Sequence, residues 1–267
     1  MGISLFTGCS YTSGTGFTYT EKETPGLWVN LLHKKNEFLK GTKLVNASSG
    51  GRSNANIFAD TVKCLLTLED VEYVFVAWTS WPRYELLLGI ETYNTRQLVS
   101  PGCPMIDHNI NGVTYSAAYL TKIRDRFTSL DHPHNEIVNL IGYTNTLIKL
   151  SKLKDVKLFF VNALCLWDSN YFTKLENRTP ADFTAYTRTL LSTDNRDDDE
   201  IFKLYNRLHS DYENAGSIQS DHWLNLYNSL RSNQIDVNDD CVHPGYESNK
   251  IFSDLLNSSL NQRLSQQ

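Results

Sequence analysis

The segment EYVFVAW at 72–78 constrains this chain more than any other stretch. It is β-branched and aromatic almost throughout, which favours a strand. It also has no polar alternation, so neither face of that strand is left for water. A strand of this kind belongs to a parallel sheet covered by helices on both sides. GISLFT at 2–7, KLVN at 43–46 and LKDVKLFFVNAL at 153–164 supply three more strands by the same logic. Helical segments lie between them. Pro25 stands where a helix can begin, and Trp28, Leu31, Leu32 and Phe38 recur at near-helical spacing. Ser53 or Asn54 caps a helix running to about residue 69. Ile137, Leu140, Ile141, Leu147, Ile148 and Leu150 predict another over 133–153, and an amphipathic helix over 244–260 closes the chain. The alternation reads as repeated β-α units of an α/β fold.

Two stretches interrupt it. Residues 89–132 carry Pro101, Gly102, Pro104, Asn109, Asn111 and Gly112 and read as a long insertion after the third strand, over the mouth of the sheet. Residues 168–232 are polar and acidic around DNRDDDE, with helices expected near 198–213 and 218–231. With no internal repeat and no Pro/Ser linker, one domain with two elaborations is the economical organisation.

Composition narrows the function classes. The 267 residues are 40% hydrophobic, enough to bury an ordinary core. A net charge of -5, without a dense Lys/Arg run, argues against a nucleic-acid partner. No apolar stretch approaches the roughly 20 residues that span a bilayer, and MGISLFTGCS lacks the regions of a secretory signal. A soluble, cytoplasmic protein is expected. Five scattered cysteines without a CxxC pair indicate reduced thiols rather than a disulfide framework or a zinc site. DDDE at 197–200 suits the first turn of a helix, and His132 and His134 lack companion ligands, so no metal is expected.

Ligands of open parallel sheets sit beyond the carboxyl ends of the strands. The polar segments there are GCSYTSGTG at 8–16, SSGGRSN at 48–54 and WTSWPRYE at 78–85, joined by DDCVHPG at 239–245 before the last helix. The first has no Lys-Ser/Thr pair of a P-loop, no third glycine at dinucleotide spacing and no G-x-S-x-G elbow. What remains is Ser10 directly after a strand and an Asp240-x-x-His243 turn. An Asp and a His so spaced can share one turn, the carboxylate orienting the imidazole as a base for serine. The same residues also suit a plain polar loop in which Asp239 or Asp240 caps the helix.

Taken together, a strand followed by G-x-S, an Asn-Ala-Ser-x-x-Gly turn after the second strand, and D-x-x-H-P before the C-terminal helix resemble the SGNH (GDSL-like) hydrolases. The likeness runs through the whole chain in block order, with no counterpart for the two insertions. It implies a flavodoxin-like three-layer α/β/α sandwich with a central parallel sheet, and an esterase that needs no cofactor. By that likeness Ser10 is the nucleophile, His243 the base and Asp240 its orienting carboxylate. The backbone N–H groups of Ser10 and Gly51 then form the oxyanion hole. Two positions depart from the pattern. Cys9 replaces the usual aspartate before the nucleophile, and Thr79 stands where the third block carries an oxyanion-binding asparagine. The hydroxyl of Thr79 or Ser80, or the amide of Asn54, is a substitute donor. The string W-T-S-x-P-R-x-E looks like a divergent branch found in bacteriophage genomes, which implies action inside an infected host or in a virion.

Other residues near the strand ends keep two roles open. Arg83 either pairs with Glu85 or holds an anionic substrate, and Arg52 has the same choice. Trp78, Trp81, Tyr11 and Phe17 are either core or an aromatic platform for a sugar or acyl group. Cys9 and Cys241 approach each other if the first and last blocks meet. The leading expectation is cleavage of a small-molecule or carbohydrate ester, such as an O-acetyl group. The alternative is a non-catalytic protein of the same fold that binds carbohydrate or makes virion or homo-oligomer contacts.

Overall fold

The computed structural model describes residues 1–17, 26–79, 84–87, 96–99, 107–110, 113–122, 133–164, 222–225, 229–230, 233–237 and 243–266. Its centre is a four-stranded parallel sheet formed by β1 (Ile3–Gly8), β2 (Lys43–Asn46), β3 (Val71–Trp78) and β8 (Lys157–Asn162). The strand order is β2-β1-β3-β8, the doubly wound order in which the first strand lies inside the sheet. Phe6, Phe75 and Phe159 stand opposite one another in register and stack as a row, with centroids 4.4 and 5.2 Å apart.

The period-two alternation of the strands decides which helices cover which face. Phe6 meets Trp28 of α2 (Trp28–Lys35) edge-on at 5.8 Å, and Trp28 in turn meets Phe252 of α5 (Tyr246–Leu264) at 5.5 Å. The next residue, Thr7, points the other way and shares a 2.7 Å hydroxyl contact with Thr61 of α3 (Asn54–Thr67). On that side Phe58 of α3 stacks at 4.6 Å on Tyr143 of α4 (Pro133–Lys154). Helices therefore pack on both faces, and the expected three-layer α/β/α arrangement is present.

Several segments differ from expectation for identifiable reasons. The first long helix ends at Lys35, because the Asn36 amide donates to both Asn257 and Asn261 of α5 and its carbonyl oxygen accepts from Phe38 N–H. That turn leaves Phe38 exposed instead of on the helix's apolar face. Beyond the third strand the chain adds structure outside the central sheet. It contains two short antiparallel pairs, β4 (Tyr84–Leu87) with β5 (Arg96–Val99), and β6 (His108–Ile110) with β7 (Val113–Tyr115).

The helix expected over 218–231 is not formed at 222–225. These residues line the free edge of β8: Phe160 N–H donates to His222 O at 2.8 Å, and Leu224 N–H donates to Phe160 O at 3.0 Å. Trp223 and Leu224 are buried there, so edge pairing and apolar burial outweigh local helix preference. The helix expected near 198–213 lies outside the described residues.

The aromatic row is the mechanical centre of the sheet. Phe75→Ala removes its middle ring, with an expected cost of about 3–5 kcal/mol. Urea unfolding will show this as a lower midpoint at an unchanged slope.

Candidate functional site

The carboxyl ends of β1, β2 and β3 meet at one end of the sheet, and each releases a polar loop. After β1, Cys9 is extended and begins a one-turn helix, α1 (Ser10–Ser13). Thr12 and Ser13 N–H donate back to Cys9 O at 2.9 and 3.0 Å. Gly14 closes the turn at φ +77°, a conformation that favours glycine. Gly8 is required for a different reason. A Cβ there would stand 2.5 Å from Thr12 Oγ1 and 3.0 Å from the Ala77 Cβ, so only glycine lets the turn fold back on the sheet. The Cys9 side chain is buried in the core, and Ser10 is left 6% exposed at the start of the turn.

The loop after β2 is fastened to this turn. Ser49 N–H donates to Gly8 O at 3.1 Å, and the Asn46 amide donates to Thr12 O at 2.9 Å. Gly50 lies against Thr15, and Gly51 has φ +74°, the positive value that accounts for glycine there. Ser53 then caps α3 by accepting from Asn56 N–H at 3.3 Å. Arg52 Nε lies 3.1 Å from an Asp60 carboxylate oxygen on the same helix. Of its two roles, the structure displays the ion pair.

At the end of β3 the Asn54 side chain acts as a surrogate strand. Its oxygen accepts from Thr79 N–H at 2.9 Å and its NH2 donates to Thr79 O at 3.2 Å. Asn54 is thus engaged in holding the third loop. The Thr79 side chain is fully buried, and its hydroxyl has no hydrogen-bond partner among the described residues. Trp78, read as either core or part of an aromatic platform, is fully buried 6.0 Å from Phe160. Ser80, Arg83 and Trp81 lie outside the described residues.

The C-terminal block is built around Asp236. Val237 and Pro244 form an antiparallel bridge, and Gly245 N–H donates to Asp236 O at 3.1 Å. The Asp236 carboxylate caps α5, accepting from Glu247 N–H at 2.9 Å, Ser248 N–H at 2.8 Å and the Ser248 hydroxyl. Asp236 thus caps this helix, while Asp239 and Asp240, considered for that role, lie outside the described residues. A Cβ on Gly245 would come within 2.4 Å of that carboxylate. Burial opposes ionisation of Asp236, but the Ser248 hydroxyl and the N–H groups of Ser248 and Glu247 outweigh it and lower its pKa.

His243, directly before the bridge at Pro244, lies against the first block. The imidazole faces the Tyr11 ring, with centroids 5.3 Å apart and planes inclined at 57°. Tyr11 follows Ser10 directly, so blocks separated by most of the chain meet here. Asp240 and Cys241 lie outside the described residues. Three contributors were not anticipated: Asp236, Trp28 and Asn249. Trp28 Nε1 donates to Tyr11 O at 3.0 Å, and its backbone N–H donates to Asn249 Oδ1 at 3.1 Å. Only Trp28 carried a sequence signal, and that signal was apolar spacing.

Among the described residues no group of three His, Cys, Asp or Glu is placed to hold a metal ion. Nor is any helix among them long and apolar enough to cross a membrane.

The chain matches no protein-family profile and no curated protein. Two solved structures are similar to it in outline. One is the psychrotrophic esterase EstA from Pseudoalteromonas sp., inhibited by monoethylphosphonate, at 12% identity and a TM-score of 0.45 over 99% of this chain and 100% of that one. The other is a carbohydrate acetylesterase family member from Sinorhizobium meliloti, at 12% identity and a TM-score of 0.44 over the same shares.

Because the folded pKa of Asp236 is lowered, its contribution is full above the unfolded value near about 3.9 and fades as pH falls through the folded value. Asp236→Ala is expected to cost about 1 kcal/mol at neutral pH, the usual effect of losing a helix cap. Denaturation at pH 7 and pH 3 should show wild type and variant converging in acid.

Proposed function

We propose that this chain is a serine ester hydrolase of the SGNH type, acting on a small-molecule or carbohydrate ester such as an O-acetyl group. The observation that carries this is the meeting of the Ser10 turn with the His243 loop through the Tyr11 ring. The block order of the motifs supports it independently. In this mechanism Ser10 Oγ attacks the ester carbonyl while His243 accepts the serine proton. Asp240 orients the imidazole. The N–H groups of Ser10 and Gly51 stabilise the oxyanion. His243 then protonates the departing alcohol, and water, activated by the same imidazole, releases the acid from the acyl-enzyme.

Thr79 sets the rate this site can reach. Loss of one oxyanion donor costs about 100- to 1000-fold, and the Thr79 hydroxyl is buried without a partner among the described residues. That burial favours a second reading: a non-catalytic protein of the same fold that binds carbohydrate or a virion component. The two readings differ in whether Ser10 is activated.

Intact-mass spectrometry after exposure to a fluorophosphonate, with p-nitrophenyl acetate turnover alongside, separates them. Hydrolysis predicts one adduct on wild type, none on Ser10→Ala, and turnover lost in that variant. Wild type that takes no adduct and turns over no ester supports the second reading. An adduct retained by Ser10→Ala removes Ser10 from the mechanism.

A further inference from the structure

Asn249 lies in the first turn of α5 and is 1% exposed, yet no apolar contact explains an asparagine there. Its side-chain amide is instead spent on three backbone groups, one from the distant Trp28 and two from the residues just before its own helix. Oδ1 accepts from Trp28 N–H at 3.1 Å, while Nδ2 donates to Pro244 O at 3.1 Å and Gly245 O at 2.8 Å. The first of these is the opening N–H of α2, which Leu27 does not cap with its side chain. The other two carbonyls immediately follow His243.

These contacts close a ring of interactions. Trp28 is fixed to Asn249 through its main chain and to Tyr11 O through its indole N–H. Tyr11 faces His243, and His243 is joined through Pro244 and Gly245 back to Asn249. Trp28 is itself wedged between Phe6 and Phe252, so the ring is anchored in the core. Pro244 and Gly245 therefore have one side fixed by Asp236 and the other by Asn249.

We propose that Asn249 is the positioning residue that sets the His243 imidazole against the Ser10 turn, by tying the main chain after His243 to Trp28. No other residue type meets the three demands in that space. Aspartate keeps the acceptor for Trp28 N–H but loses both donors and turns a carboxylate toward two carbonyl oxygens. Alanine leaves Trp28 N–H without its partner. Serine at this position reaches the carbonyl four residues back, Gly245 O, and releases Trp28.

The proposal rests on the Ser10–His243 pairing, and its test is chosen to be legible even if the protein cleaves no ester. The His243 ring signal in a proton–carbon NMR spectrum of the full chain is assigned with His243→Gln. In wild type, Tyr11 shifts that signal away from the position of a free imidazole, and Tyr11→Leu removes the displacement. In Asn249→Asp and Asn249→Ser the His243 signal moves toward the free position while the His222 signal, at the other side of the sheet, stays in place. Fluorophosphonate labelling of Ser10 slows about 10- to 100-fold in both, the scale of a misplacement of about 1 Å. A folded variant whose His243 signal and labelling rate match wild type overturns the proposal. If neither variant folds, hydrogen exchange in wild type decides: a protected Trp28 N–H supports the tie, and exchange at the rate of an open loop overturns it. Wild type that is never labelled sinks the hydrolase assignment alone, because the NMR comparison still reads the position of His243.

Discussion

Parallel strands that end under a cover of loops leave N–H and C=O groups with neither a neighbouring strand nor water, and each one left unpaired costs about 1–3 kcal/mol. This protein meets that constraint with asparagine. Asn54 binds both backbone groups of Thr79 at the end of β3, and Asn225 does the same for Asn162 at the end of β8, at 3.0 and 3.1 Å. Asn46 joins the β2 loop to the α1 turn, and Asn249 joins α2 to the start of α5. A carboxamide carries a donor and an acceptor side by side, as a peptide group does, so it extends the sheet's hydrogen bonding where the sheet has ended.

The consequence for function is stiffness at the loop bases. Backbone bonds hold Ser49 to Gly8, side chains hold Thr12 and Thr79, and Pro244 and Gly245 are paired with Val237 and Asp236. Side chains of a binding or reactive site must be held to within about 0.5 Å, and rigid elements do this better than free loops. Here the rigidity comes from the core: the Phe6–Phe75–Phe159 row seats Trp28, and Trp28 holds Tyr11.

Much of this was legible in the sequence because strands buried on both faces announce themselves as unbroken apolar runs. EYVFVAW and KLFFVN became β3 and β8, and the helix expected from about Ser53 was found with Ser53 as its cap. The α/β order and the loops carrying Ser10, Gly51 and His243 followed from that punctuation. What escaped was long-range. WLN at 223–225 has no strand-like length until the free edge of β8 receives it. Asp236 could not be told from neighbouring aspartates, because a cap acting from eleven and twelve residues away has no fixed spacing.

By itself the sequence determined the layering, the places where strands give way to loops, and the kinds of side chain at those places, because periodicity and turn chemistry act over a few residues. Only the tertiary structure decided that Arg52 pairs with Asp60, that Asn54 serves Thr79, that Thr79 is buried, and that Tyr11 meets His243. Those outcomes depend on which buried backbone groups lack partners once the sheet has closed, and that inventory does not exist until the distant segments have packed together.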